Sequence, residues 1–222
     1  MSQKILVIGA SRGIGLETVK SALDSGYMVR ALARSASYIN IEDDNLEKFS
    51  GDALNGDNVE NALEGIDVVI QTLGIPINLR MLTGPIDLFS NSTRILVNKM
   101  EATGIKRLIS VTGFGSGRDG RQLIPPLQRI GFEIFLGRVY SDKNIQEDII
   151  KASHLDWTIV RPGILTSGRL SDNYRVLVEP ETWRNGLISR EDVANFLVKQ
   201  ISDSMYINET PVLIGAYKLP HI

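Results

Sequence analysis

The chain has 222 residues, of which 43% are hydrophobic and 23% charged, with a formal net charge of −2. That length suits one α/β domain with a single large core and leaves little room for a second full domain. Its 24 basic residues are balanced by 26 acidic ones and scattered along the sequence, which argues against a nucleic-acid partner; the absence of cysteine excludes disulfides, thiolate metal sites and cysteine nucleophiles.

Met1-Ser2-Gln3-Lys4 runs directly into Ile5-Leu6-Val7-Ile8, an apolar run too short for a signal peptide or a membrane span. A cytoplasmic protein with no membrane partner is therefore expected. Ile5 to Ile8 predicts a first strand. Ile14 to Leu23 follows as a helix, its apolar positions Ile14, Val19, Ala22 and Leu23 recurring at helical spacing until Gly26 stops it. Tyr27 to Ala33 and Leu46 to Phe49 predict two more strands, Asn58 to Leu63 a helix, and Asp67 to Thr72 a strand with the near-continuous apolar run of a buried parallel position. Asp87 to Thr103 reads as a long helix closed by Gly104, and Arg107 to Thr112 as a fifth strand.

After a glycine-rich connection from Gly113 to Gly120, the spacing predicts a helix over Leu123 to Leu136, interrupted by Pro125-Pro126, and a separate one over Ser141 to Ser153. Trp157 to Arg161 is a sixth strand. Ser189 and Asp192 form a capping-box-like pair ahead of a helix over Val193 to Ile201, and Val212 to Ile214 closes the series. The alternation is that of parallel strands joined by crossover helices: an α/β, Rossmann-like doubly wound parallel sheet with helices on both faces. With no repeat and no linker, residues 1–222 read as one domain. The alternation fails only over residues 165–186, which makes that stretch the candidate substrate lid.

Gly9, Gly13 and Gly15 stand between the first strand and the first helix, the context in which a glycine string has a mechanism. A tight turn needs a residue free of Cβ constraints, and a diphosphate reaches the amides of a helix N-terminus only where side chains are absent. The cofactor-binding turn is thus Gly9, Ser11, Arg12, Gly13, Ile14 and Gly15. NAD-preferring sites place a carboxylate at the end of the second strand. Here Ala33-Arg34 stands there, and Arg34 with Arg12 could fork onto a 2′-phosphate, so the expected cofactor is NADP(H).

The spacing Gly-x-x-x-Gly-x-Gly resembles that of the short-chain dehydrogenase/reductase superfamily. The resemblance continues in Gly51-Asp52, Thr72-Leu73-Gly74, Ser110-Val111-Thr112-Gly113 and Thr158-Ile159-Val160-Arg161-Pro162-Gly163, which span most of the chain. The last of these, with the short length and Ile188-Ser189-Arg190-Glu191-Asp192-Val193-Ala194, is similar to the atypical branch of NmrA-like proteins and biliverdin reductase B/flavin reductase. It implies Asp52 near the adenine and Leu73 and Gly74 near the adenosine ribose. Ordinary members also carry a Tyr four residues before a Lys; counting back four from Lys143 reaches Val139, whereas Tyr140 is three away, still a neighbour on a helix face.

If Lys143 is the family lysine, it holds the nicotinamide ribose and lowers the pKa of a proton donor. Thr112 and Ser110 compete for the hydroxyl that orients a substrate carbonyl, alternation putting both on one side with Thr112 nearer the strand end. Neither His154 nor His221 belongs to a metal-ligand spacing, so no metal is expected. The leading expectation is an NADPH-dependent oxidoreductase reducing a small or flat conjugated acceptor such as a flavin, quinone or carbonyl compound. The alternative is a non-catalytic NADP(H) sensor of NmrA-like type. A sugar-nucleotide epimerase or dehydratase would need a longer C-terminal domain. A homodimer stays open, because an amphipathic helix pair reads alike within one chain or between two.

Overall fold

The computed structural model describes residues 3–75, 86–117 and 126–216, the side chains of 126–135 excepted. Its elements are β1 (Lys4–Ile8), α1 (Gly13–Asp24), β2 (Met28–Ala33), β3 (Leu46–Ser50), α2 (Gly56–Leu63), β4 (Val68–Gln71), α3 (Leu88–Thr103), β5 (Arg107–Val111), α4 (Pro126–Lys151), β6 (Asp156–Pro162), β7 (Ile164–Thr166), β8 (Tyr174–Leu177), β9 (Leu187–Ser189), α5 (Arg190–Lys199) and β10 (Val212–Gly215). The main sheet has the order β3-β2-β1-β4-β5-β6-β10-β8. Every pair in it is parallel except β10 with β8. This is the doubly wound α/β fold read from the sequence.

The unbroken apolar run of β1 is explained by what covers it. Ile5 and Val7 face the layer of α1 and α5 with Val19, Ala22, Val193 and Phe196. Leu6 and Ile8 face α2, α3 and α4 with Val59, Leu63, Leu96, Met100 and Ile150. Both faces of a central parallel strand are dry, so polar alternation has no place in it, and each fully buried aliphatic side chain contributes roughly 1.5–3 kcal/mol. Among the described residues no helix is long and apolar enough to cross a membrane.

One expectation is corrected. The helices expected over Leu123 to Leu136 and Ser141 to Ser153 are a single helix, α4, whose first residue is Pro126. Proline at the first helical position forfeits no intrahelical hydrogen bond, so Pro126 opens the helix where an interior proline would break it; residues 123–125 lie outside the described residues, as do 118–120 of the glycine-rich connection. The stretch expected as a lid, 165–186, holds short strands. Its start, β7, pairs in parallel with β9, and β8 pairs antiparallel with β10. Between them Asp192, fully buried on α5, accepts from the N–H groups of Ser171 (2.8 Å) and Asp172 (3.0 Å) while its own N–H is capped by Ser189. The alternation breaks here because short edge strands replace crossover helices.

Candidate functional site

At the amino end of α1, Arg12 is the extended N-cap residue, no side chain caps the helix, and its first turn holds no acid. The first amides of a helix have no intrahelical acceptor, and these lie where the strand order turns from β1 to β4, the crevice in which such sheets bind ligands. Gly9 takes φ +85°, and an added Cβ would sit 3.0 Å from the Thr72 carbonyl oxygen; a Cβ on Gly15 would overlap the Gly9 carbonyl itself. The helix is seated directly on the turn. Thr72 Oγ1 donates to Ile8 O at 2.8 Å and fixes the end of β4 to the end of β1.

The N–H groups of Gly9 and Ala10 reach Leu32 O at 3.0 and 3.4 Å, placing the turn beside the end of β2, after which Arg34 follows. Arg12, Gly13 and Arg34 are exposed, and neither arginine has an ion-pair partner among the described residues. Ser11 and Ile14 are half-buried, Ile14 packing toward the α1/α5 core. The N–H of Gly51 donates to Ala33 O at 3.2 Å and brings Asp52 alongside; the Asp52 carboxylate accepts from Leu54 N–H at 3.0 Å. Half-buried Leu73 and exposed Gly74 continue from β4.

A second cluster forms at the carboxyl ends of β5 and β6 against α4. Lys143 is 8% exposed; its ammonium lies 4.2 Å from the centre of the Phe89 ring and 3.4 Å from Val111 O. Burial pulls its pKa down to about 8, against the opposing attraction of Glu147 and Asp142. A cation this dry, with one long hydrogen bond among the described residues, can still take further oxygen partners, as ribose hydroxyls would supply. The Tyr140 hydroxyl packs on the loop after β5, where a Cβ on Gly113 would meet it at 2.7 Å; burial raises its pKa, and a hydrogen bond with the Gly115 backbone works the other way.

The two candidate hydroxyls part company. Ser110, fully buried, donates to Gln71 Oε1 at 3.0 Å and accepts from Gln146 Nε2 at 3.0 Å, within a network that also takes in Thr93. It belongs to the packing of α3 and α4 on the sheet. Thr112 lies beyond the strand end and donates to Glu147 Oε1 at 2.8 Å. Glu147 in turn receives both Arg161 Nε, at 3.0 Å, and Arg161 Nη2. Burial alone would raise the Glu147 carboxyl, yet Arg161, Lys151 and Thr112 hold it below the usual carboxylate range.

Several contributors escaped the sequence reading. Arg161 was visible only as part of a motif, and nothing announced that it would be 2% exposed with its guanidinium 5.0 Å from the Trp183 ring centre. Trp183 is therefore packing, its indole N–H donating to Leu177 O at 3.1 Å and Val178 O at 3.0 Å. Asp142 accepts from Phe89 N–H at 2.8 Å and so caps α3 from across the helix pair. Asn144 accepts from Gly117 N–H at 2.7 Å and ties down the loop after β5. The positions of Asp142, Lys143 and Glu147 within one helix were the available signal. A cavity of about 530 Å³ lined by Asp67, Lys106, Arg107 and Asp203 opens at the amino ends of the strands, away from all of these groups.

Comparison with known proteins shows the family and the fold. A family model described as NAD(P)H-binding matches residues 9–204. Among solved structures, the anaerobillin reductase ChuY of Escherichia coli O157:H7 superposes with a TM-score of 0.78 at 23% identity, covering 99% of this chain and 100% of that one. A short-chain dehydrogenase/reductase of Veillonella parvula in complex with NADP gives 0.79 at 18% identity over the full length of both. Among curated relatives, eugenol synthase 2 of Clarkia breweri is 22% identical over 93% of this chain, and the photosystem II assembly factor Ycf39 of Cyanophora paradoxa 25% identical over 95%. The chain spans 67% and 63% of the lengths of those two relatives.

Proposed function

Because the chain belongs to the NAD(P)H-binding family, we propose that it is an NADPH-dependent oxidoreductase that reduces a small or flat conjugated acceptor: a flavin, a quinone or a carbonyl compound. The observation that carries this reading is the uncapped, acid-free amino end of α1 flanked by two exposed arginines that have no ion-pair partner among the described residues. Bare amides suit a diphosphate, and guanidinium forks suit the phosphate that distinguishes NADPH from NADH.

Bound NADPH would supply the hydride. Gly9, Gly13 and Gly15 keep side chains out of the diphosphate's way; Arg12 and Arg34 grip the 2′-phosphate; Asp52, Leu73 and Gly74 border the adenosine. Lys143 holds the nicotinamide ribose from a position too dry to solvate its own charge, which strengthens any bond it makes. Tyr140 or solvent returns the proton. Low similarity of the ChuY reductase to this chain is compatible with a different acceptor.

A second reading, a non-catalytic NADP(H) sensor, is favoured by one observation: the tyrosine stands one residue off the family register, with its hydroxyl on the Gly113–Gly117 loop. Following NADPH absorbance with a panel of flavins, quinones and aldehydes separates the two. Turnover that collapses in Lys143→Ala supports the reductase; tight NADPH binding with turnover on no acceptor supports the sensor.

A further inference from the structure

Glu147 is 1% exposed and lies one helical turn from Lys143. Its Oε1 accepts from Thr112 Oγ1 at 2.8 Å and from Arg161 Nε at 3.0 Å; its Oε2 accepts from Arg161 Nη2 and from Lys151 Nζ at 3.3 Å. A carboxylate held by an arginine fork and a lysine is ionised, and an ionised carboxylate can only accept. The threonine hydroxyl has one proton, and the line to Oε1 requires it. Thr112 is also fixed from behind, its N–H donating to Val160 O at 2.9 Å.

We infer that Glu147, backed by Arg161, is a positioning residue that commits the Thr112 hydroxyl proton inward, so that Thr112 meets a bound molecule as a hydrogen-bond acceptor and never as a donor. This reverses the polarity expected of a hydroxyl that orients a substrate carbonyl. An oxygen that gains negative charge on hydride transfer finds lone pairs at Thr112 where it needs a proton. Groups at this end that carry one include the Lys143 ammonium and the Tyr140 phenol. Thr112 is suited instead to an N–H or O–H on the molecule beside it. For acceptor choice, which rests on the reductase reading, acceptors that spread their new charge over a ring and present an N–H edge are favoured over simple aldehydes.

Arg161 completes the device. Its guanidinium neutralises Glu147 inside the protein, and Gly117 leaves it room, since a Cβ there would overlap Nη2. Without that partner a buried carboxylate would take up a proton and could then donate to Thr112, releasing the hydroxyl to turn outward.

Neutron diffraction on the deuterium-exchanged full chain reads the polarity directly and independently of any activity. A deuteron between Thr112 Oγ1 and Glu147 Oε1 supports the assignment; one turned away from Glu147 overturns it. Kinetics supplies the second test. In Glu147→Gln the amide nitrogen can donate to Thr112 and free its proton, so the ratio of kcat/KM for an aldehyde over that for a free flavin should rise roughly tenfold, the scale of one hydrogen bond to developing charge. The rise should vanish when Thr112→Val is added. A rise that persists without the hydroxyl comes from the disturbed arginine and overturns the inference. If neither acceptor is turned over, the reductase reading fails while the neutron result still decides the polarity.

Discussion

The two ends of the site are built on opposite plans. The proposed diphosphate end is made by removing side chains: Gly9 and Gly15 let β1, β4 and α1 approach until backbone packs on backbone. The far end is made by burying them, with Thr112, Lys143, Glu147 and Arg161 all under 9% exposed and bonded to one another or to backbone. An amide needs only placement to bind an anion, so spacing suffices to encode it. A hydroxyl or ammonium has a chemistry set by its partners, and those lie 35 residues away for Thr112 and Glu147.

The sharpest break of the diphosphate end is Gly15→Val. Its Cβ would overlap the Gly9 carbonyl and crowd Thr72 Oγ1 at 2.6 Å, and neither neighbour can retreat without moving a strand end. Calorimetry should show no saturable NADPH binding. Overpacking of about 1–3 kcal/mol should lower Tm by several degrees. Saturable binding near the parent affinity would mean that the turn yields and that backbone packing is not what shapes the site.

At the far end, Lys143→Ala should reduce kcat/KM about a hundredfold or more, the lower range for loss of a group acting on proton transfer. Its pKa of about 8 gives the test a sign. Lys143 is charged below that value and neutral above it, so NADPH-dependent turnover should fall as pH rises through about 8. Lys143→Arg, charged throughout, should lose that limb even where its overall rate is poor. A limb near pH 8 that survives the arginine belongs to another group.

Arg34→Ala separates the cofactor's two phosphate sites. One charge-assisted contact of about 1.5–3 kcal/mol predicts NADPH binding weaker by roughly ten- to a hundredfold, with NADH nearly unaffected. Equal losses for both nucleotides would place Arg34 at the diphosphate and remove the basis for preferring NADPH.

This contrast also explains what was legible. Among the described residues, the order of strands and helices up to Val111 could be read because β1, β2, β4 and β5 are mostly apolar and each helix closes on a glycine or polar stop, as Gly104 does in the left-handed conformation at the end of α3. The single helix α4 was not, since Pro126 reads as an interruption until the start of the helix is known. The edge strands β7 and β8 were missed because three- and four-residue strands held by Asp192 and by β10 leave too short a pattern. Within the candidate site, Gly9 and Gly15 could be proposed from spacing, and Lys143 only from the family resemblance. That Arg161 would meet Glu147 requires the register of β6 against α4, which no local pattern carries.

The smallest functional effect is expected at Ser110, the hydroxyl that spacing alone could not separate from Thr112. Both lie on the side of β5 that faces α4, but Ser110 is one pleat deeper, where its proton goes to Gln71 Oε1 and its oxygen receives Gln146 Nε2. Nothing bound at the strand ends can reach it past Thr112. Ser110→Ala should therefore leave NADPH affinity and kcat within about twofold while costing about 1–3 kcal/mol of stability, because it strands buried amide groups without a partner. Denaturant unfolding read beside steady-state rates distinguishes this from a catalytic role: a large fall in kcat at unchanged midpoint would move Ser110 into the site and Thr112 out of it.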